Sequence, residues 1–245
     1  MAKTTKISWA DATFNPWIGC TKVSPACDHC YAERDNGRRG WVAGWGAGVP
    51  RRRTKTWNAP RQWDRKAQET GYRPRVFCAS LADVFDNEVP TEWRTDLWQL
   101  IRETPHLRWM LVTKRIGNVM KMVPDDWPMV HVGIISTIVT QDEWDRDWPK
   151  LARTPVAWRG ISMEPMLGPI IMSEVDGVIP DWVITGGESG PRARTTDLAW
   201  VRSIRDQCAR GIAFHHKQWG GLRPKDNGCL VDGVEHKHFP PALAA

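Results

Sequence analysis

Three cysteines lie within eleven positions of the chain: Cys20, Cys27 and Cys30, spaced C-x6-C-x2-C. Thiolates this close together hold a soft metal centre. The other three, Cys78, Cys208 and Cys229, stand alone, so no second C-x2-C pair completes a four-ligand structural zinc site. Six cysteines in 245 residues are also too sparse for a disulfide framework, which leaves metal binding in a reducing compartment. Two chemistries fit. Three thiolates on a four-iron cluster leave one iron without a protein ligand, free to bind a substrate or cofactor directly. The alternative is a Cys3His zinc site completed by His29, His215 or His216, with His29 strained by its place between two ligands.

Such a loop needs a frame. Short apolar runs at residues 76–79, 107–112, 130–135, 156–161, 182–184 and 212–214 begin 31, 23, 26, 26 and 30 residues apart, the pitch of a βα unit. Between them, Trp93, Leu97, Leu100 and Ile101 share one face of a helix. Leu198, Val201, Ile204 and Cys208 share another, with Thr195, Thr196 or Asp197 as caps and Gly211 as a stop. Prolines at 90, 105, 124, 128, 149, 155 and 180 mark the joints. The alternation predicts an α/β fold with a parallel sheet. Every strand is followed by polar residues: Ser80 and Asp83, then Thr113, Lys114 and Arg115, Ser136 and Thr137, Ser162 and Glu164, Gly186 to Ser189, and His215 to Gln218. In a barrel these ends converge on one mouth, so the expected architecture is a partial (β/α) TIM-like barrel of about six parallel strands. It forms a single domain over residues 1–245: a cluster-binding loop region (1–33), a basic excursion (34–75), βα units (76–221) and a C-terminal tail (222–245).

The charge is uneven. From Arg34 to Arg75 there are twelve Lys or Arg against three acids, a local +9, whereas the remainder has 22 basic and 25 acidic residues, or −3. Trp41, Trp45, Trp57 and Trp63 interleave with these cations, a mix that suits phosphates and unstacked bases. A solvated charged face, in a chain whose Trp and Arg usage fits G- and C-rich codons, is the competing reading. Glycines at 37, 40, 44, 46 and 48 predict an irregular segment that orders on its partner. With 41% apolar and 25% charged residues the composition is that of a folded soluble domain. No run of eighteen apolar residues and no apolar block behind Lys6 are present, so no membrane span or secretion signal and a cytoplasmic location are expected.

Residues 9–20 and 27–34 (with Cys27-Asp-His-Cys30), together with 111–115, 162–169, 186–191 and 217–220, resemble the radical S-adenosylmethionine enzymes. They resemble more closely a phage-encoded family of radical-SAM-like proteins, distantly similar to spore photoproduct lyase and to phage thymidine-hypermodification isomerases. The usual loop is C-x3-C-x2-C with an aromatic before the last cysteine; here the first gap is six and His29 holds that place. The resemblance implies a 4Fe-4S cluster on Cys20, Cys27 and Cys30 whose open iron chelates S-adenosyl-L-methionine. One-electron cleavage then gives a 5′-deoxyadenosyl radical that takes hydrogen from an unactivated carbon. It also implies an external one-electron reductant such as flavodoxin, a nucleic-acid or nucleotide substrate met through residues 34–75, and the bacterial host cytoplasm as location.

Under that reading Glu188 on the Gly186-Gly187 turn receives the cofactor's ammonium or ribose, or else is a solvated acid on a surface turn. Ser162 and Glu164 point to one side of a strand, where an unpaired carboxylate is costly, which favours ligand contact. Arg192 and Arg194 can take a carboxylate or phosphate. Lys114 and Arg115 can do the same or form surface salt bridges. Ser80, Asp83, Thr113, Ser136 and Ser189 complete the cofactor candidates, with Ser80 and Asp83 equally readable as turn residues. Cys78 and Tyr31 are candidate radical relays, Cys78 reading also as a small buried side chain. Lys217, Gln218 and Trp219 line the mouth, His215 and His216 read equally as a packed pair, and Asp28 shapes the cluster loop. Two other classes remain open: a zinc-stabilised nucleic-acid-binding module, and a barrel hydrolase or transferase using Glu164 and Glu188 without a cluster.

Overall fold

In the computed structural model, residues 5–224 and 226–244 are described. In chain order they form β1 (Ala12–Thr13), β2 (Trp17–Ile18), α1 (Tyr31–Arg39), β3 (Arg52–Arg53), α2 (Ala59–Thr70), β4 (Arg75–Cys78), α3 (Thr91–Arg102) and β5 (Arg108–Thr113). Then come α4 (Val119–Met122), β6 (Val132–Thr137), α5 (Gln141–Ala152), β7 (Arg159–Met163), β8 (Trp182–Thr185), α6 (Leu198–Cys208), β9 (Ala213–His216), β10 (Leu230–Val231) and β11 (Val234–Glu235).

One sheet runs β1-β4-β5-β6-β7-β8-β9 with every pairing parallel, curling into a half-barrel. The expected partial barrel is therefore present, with seven strands instead of about six. The added strand, β1, is two residues long, too short to carry a periodic pattern, and is fixed only by Ala12 facing Val76 and Thr13 facing Phe77. Five of the six expected strands run one or two residues further toward their polar ends than their apolar runs do. The ladder is a backbone property, so Thr113 pairs with Ser136, Thr137 with Ser162 and Thr185 with His216.

Strand alternation gives the sheet two faces. On the outer face Val76, Leu111, Ile134, Ile161, Val183 and Phe214 pack with Leu97, Leu100 and Ile101 of α3, Trp144, Trp148 and Leu151 of α5, and Val201 and Ile204 of α6. On the inner face Phe77, Met110, Ile135, Trp182 and Ile184 pack with Trp9, Trp158 and Leu243. Each fully buried side chain of this size contributes roughly 1.5–3 kcal/mol. Asp197 caps α6 as expected, accepting from the Ala199 N–H at 2.7 Å. Pro149 is not at a joint: it lies in the last turn of α5.

The expected tail is part of the barrel. After the β10–β11 hairpin, the chain pairs antiparallel with β9, His216 N–H donating to the His236 carbonyl (2.9 Å) and His238 N–H to that of Phe214 (3.1 Å). Leu243 then enters the inner core. His215 and His216 prove to be packed residues, both fully buried. Burial first, then the nearby Lys237 cation, pushes His215 down to about 3 and His216 to about 4, so both stay neutral.

The basic segment is not irregular throughout: it contains most of α1, β3 and α2, while the glycine-rich residues 40–51 between α1 and β3 form neither helix nor strand, as expected. The Arg51-Arg52-Arg53 run splits three ways. Arg51 is buried, bonding Asp86 Oδ2 (2.9 Å), the Gly46 and Val49 carbonyls (2.9 and 2.8 Å) and Thr21 Oγ1 (2.7 Å). Arg53 pairs with Asp96 at 2.7 Å and stacks on Trp57 at 4.2 Å. Arg52 alone is exposed. Among the described residues no helix is long and apolar enough to cross a membrane.

Candidate active site at the mouth of the half-barrel

The cysteine loop lies between β2 and α1, over the C-terminal ends of the strands. Ser24 opens a tight turn by accepting from the Ala26 N–H (3.1 Å), and Cys27 N–H closes it on the Ser24 carbonyl (2.8 Å). Cys30 is the N-cap of α1, at the positive end of its helix dipole. Cys20, from the other arm of the loop, faces them. All three thiols line one cavity of about 110 Å3, with Tyr31, Trp45, Phe77, Ala79, Ser80, Asp83, Thr113, Lys114, Arg115 and Thr137. A second cavity of about 120 Å3 is lined by His29, Glu164, Gly187, Glu188, Ser189, Lys217 and Gln218, and shares Cys30, Tyr31 and Lys114 with the first.

The two faces of the sheet sort the remaining candidates. Alternation from the inner core residues carries Lys114, Ser162, Glu164 and Lys217 to the inside of the mouth. There Lys217 Nζ pairs with Glu164 Oε1 at 2.8 Å, and Ser162 Oγ donates to Glu164 Oε2 at 3.2 Å, so the carboxylate foreseen as costly is paired. Cys78 and Ser136 fall on the outer face and line neither cavity. Cys78 is wholly buried in the outer core, its thiol pushed up by burial, which withdraws it as a relay; Ser136 is 1% exposed and Thr137 takes the inner position. Tyr31 does reach both cavities, its hydroxyl donating to the Ser80 carbonyl at 2.7 Å, while Ser80 Oγ accepts from Asn15 Nδ2 at 3.0 Å. Arg192 is exposed on an outward groove with Lys22, His29, Cys30 and Arg34.

Two acids named as cofactor candidates are already saturated, Asp83 in the turn role that was its alternative reading. Asp83 accepts from Thr113 Oγ1 (2.8 Å), the N–H groups of Phe85 (2.9 Å) and Lys114 (3.0 Å), and Arg115 Nη1 (3.1 Å). Glu188 accepts from Arg194 at Oε1 (2.5 Å) and Oε2 (3.0 Å), from the Arg194 N–H (2.9 Å), and meets His29 Nδ1 at 2.8 Å. Arg194 continues to Asp28 (3.1 Å) and the Pro25 carbonyl (3.0 Å). Glu188 thus clamps the turn after β8 onto the cysteine loop, and Asp28 shapes that loop as expected. The turn is drawn tight by Gly187, whose N–H donates to the Gln218 carbonyl at 2.8 Å. Ser189 Oγ accepts from Gln218 Nε2 at 2.6 Å.

Although burial opposes it, Arg194 and His29 hold the Glu188 carboxyl down at about 2. A depressed acid stabilises the fold above its unfolded pKa and loses that contribution as pH falls through the folded value. The stability difference between wild type and Glu188→Gln is therefore expected to shrink as pH falls from about 4.5 to about 2. Denaturant midpoints across that range check it; a constant difference would remove the clamp.

The donor set fits a cluster. Three soft thiols reach one cavity and no fourth competes, because Cys78 and Cys208 are buried in the outer core and Cys229 bonds Glu235 at 3.4 Å. A single zinc ion fits less well. Among the described residues no three Cys, His, Asp or Glu side chains converge as ligands of one ion. None of His29, His215 and His216 lines the cavity of the three thiols, and one ring nitrogen of each meets Glu188, Ser8 and Thr185, at 2.8, 2.9 and 2.9 Å. The sequence offered Thr137 only as a strand-end residue of the mouth and Trp45 only as one of four rings in the basic segment, and it did not mark Arg51 as an anchor. Trp45 had a signal, shared with Trp41, as an indole within a glycine-rich stretch; Arg51 had none, being one of three adjacent arginines.

Among solved structures, the chain is similar to spore photoproduct lyase complexed with dinucleoside spore photoproduct: TM-score 0.54, 13% identity, 89% of this chain and 78% of that one. A cysteine-to-serine variant of the lyase gives 0.53 over the same shares at 13% identity. In a further lyase structure, with bound AdoMet and dinucleoside spore photoproduct, the chain spans 58% of that chain's length with 88% of its own, at TM-score 0.46 and 13% identity. These likenesses are of fold. No curated protein matches. A family model described as "Protein of unknown function (DUF5131)" matches residues 4–240, nearly the whole chain, and to that family this protein belongs.

Proposed function

We propose that the protein is a radical S-adenosylmethionine enzyme that acts on a nucleic-acid base or nucleotide, in the manner of thymine modification, isomerisation or repair. The observation that carries the reading is the convergence of Cys20, Cys27 and Cys30 on one cavity at the mouth of a parallel half-barrel. When bound, a 4Fe-4S cluster and S-adenosyl-L-methionine supply one-electron chemistry able to remove hydrogen from an unactivated carbon. The three thiols would hold the cluster. The Glu164–Lys217 pair in the adjoining cavity offers one acid and one base to a zwitterionic amino-acid terminus. Lys114, which lines both cavities, would take a phosphate, and Trp45, which lines the first, would stack on a base. The glycine-rich stretch carrying Trp45 is anchored by Arg51 to Asp86 and by the Gly46 N–H to the Cys20 carbonyl (3.1 Å), which lets it exclude water. The outward groove beside Cys30 gives an acidic one-electron carrier of the flavodoxin type an approach to the thiols.

Anaerobic iron and sulfide reconstitution, then dithionite and S-adenosyl-L-methionine, is expected to yield 5′-deoxyadenosine. A colourless protein that leaves the sulfonium intact defeats the proposal. The substrate class draws on the basic segment and on likeness to a lyase complexed with a dinucleoside. Arg38, Arg39, Arg52 and Lys55 are exposed and available to phosphates. Affinity for single-stranded DNA is expected to fall steeply with salt, and Arg38→Gln or Arg52→Gln to reduce the log–log slope by about 1 each. Arg51→Gln is expected to lower stability instead. Anisotropy titrations between about 50 and 200 mM salt read the slope; a salt-insensitive isotherm counts against a polymer substrate.

A further inference from the structure

We infer that Arg115 is a positioning residue that raises the reduction potential of the metal centre through the Cys20 sulfur; this rests on the reading above that Cys20, Cys27 and Cys30 hold a cluster. The six-residue gap between Cys20 and Cys27 leaves no short loop to fix the first thiol. What fixes it comes from the end of β5. Arg115 Nη1 donates to Cys20 Sγ at 3.4 Å and to Asp83 Oδ2 at 3.1 Å, and Nη2 donates to the Thr21 carbonyl at 2.7 Å. Thr113 Oγ1 accepts from the Arg115 N–H at 2.8 Å, so the residue is held at both ends. Its side chain is 7% exposed and that of Asp83 is 6%.

A guanidinium this far from water cannot trade its sulfur contact for solvent. Reduction adds one electron to the centre with no bond made or broken, and the added negative charge is stabilised by a fixed cation hydrogen-bonded to a ligand sulfur. Asp83 opposes the effect from behind. The guanidinium is hydrogen-bonded to both that carboxylate and the sulfur, and Asp86 lies 3.9 Å from Nη2 as a second opposing charge. Removing it lowers the potential, and removing the Asp83 charge raises it. A residue that merely held the loop would change cluster content or melting temperature without these opposite shifts.

The test is a redox titration, followed by electron paramagnetic resonance, of the reconstituted full chain after iron and sulfide analysis. Arg115→Gln is expected to disfavour reduction at least tenfold, about 59 mV for a one-electron couple. Arg115→Lys, which keeps the charge, should stay within a few-fold of wild type, and Asp83→Asn should shift the other way. Arg153→Gln, at an exposed pair far out on the surface, serves as control. Because Arg115→Gln leaves Asp83 buried without its partner, it is the variant most at risk of failing to fold; Asp83→Asn then decides alone. Potentials unmoved in variants with full clusters overturn the inference while leaving the enzyme reading intact. A wild-type chain that takes up no iron and sulfide overturns that reading first, and this inference with it.

Discussion

Alanine at both Cys27 and Cys30 is expected to abolish iron uptake and 5′-deoxyadenosine formation while the fold stands. Removing two small sulfur atoms sacrifices on the order of 1 kcal/mol each by lost burial. Among the described residues neither sulfur has a hydrogen-bond partner: the loop is held by the Ser24 and Cys27 backbone turns and by the Glu188–Arg194–Asp28 clamp. Chemistry that depends on the cofactor has no substitute among the side chains, so the rate should fall by at least about a thousandfold, the scale of losing the main catalytic device. The double variant should melt within a few degrees of wild type by circular dichroism. Turnover surviving in it would select a cluster-free hydrolase or transferase. The structure gives that alternative little to work with, because Glu188 is spoken for by Arg194 and His29.

Gly187→Ala should have the second large effect, on binding and stability together. A Cβ at Gly187 would come within 2.0 Å of the Trp219 carbonyl oxygen and 3.0 Å of the Gly220 nitrogen. Both are backbone atoms, so no rotamer relieves the clash. The approach is close because residues 187–190 pair with 218–221: Gly187 N–H donates to the Gln218 carbonyl, Gly221 N–H to that of Glu188 (2.7 Å), and Ser189 bridges Gly221. Prying these strands apart is expected to cost about 1–3 kcal/mol or more. It also pulls Glu188 from the cysteine loop, so S-adenosyl-L-methionine affinity should drop along with the denaturant midpoint. Gly186→Ala is the comparison: its nearest neighbour is the movable Glu164 carboxylate, at 3.2 Å. Equal midpoints for the two variants would show that backbone approach at 187 is not what demands glycine.

The fold was legible where its signals are local and repeated. Apolar runs at a βα pitch marked six strands, and the polar residues after them marked the mouth. What failed had no periodicity to read. Strand β1 is two residues long, the tail's pairing with β9 joins polar histidines, and α2 lies in a segment whose charge overshadowed its apolar face. In the site, residue types were legible and their partners were not. Glu188 and Asp83 looked like free acids because the arginines that saturate them, Arg194 and Arg115, are six and thirty-two residues away along the chain. Cys78 and Ser136 looked like mouth residues because a strand end alone does not reveal which face points inward.

The amino-acid sequence by itself determined the chemistry on offer: three thiols clustered within eleven positions, an alternating βα frame, and polar strand ends, all properties of residue type and spacing. Tertiary structure decided which of those groups are free to act. Side-chain direction in a strand has period two, and a charge in a low-dielectric mouth must find a partner. Packing therefore turned Cys78 and Ser136 outward, neutralised Glu188 and Asp83 with distant arginines, withdrew Arg51 from the surface, and left Cys20, Cys27 and Cys30 lining one cavity.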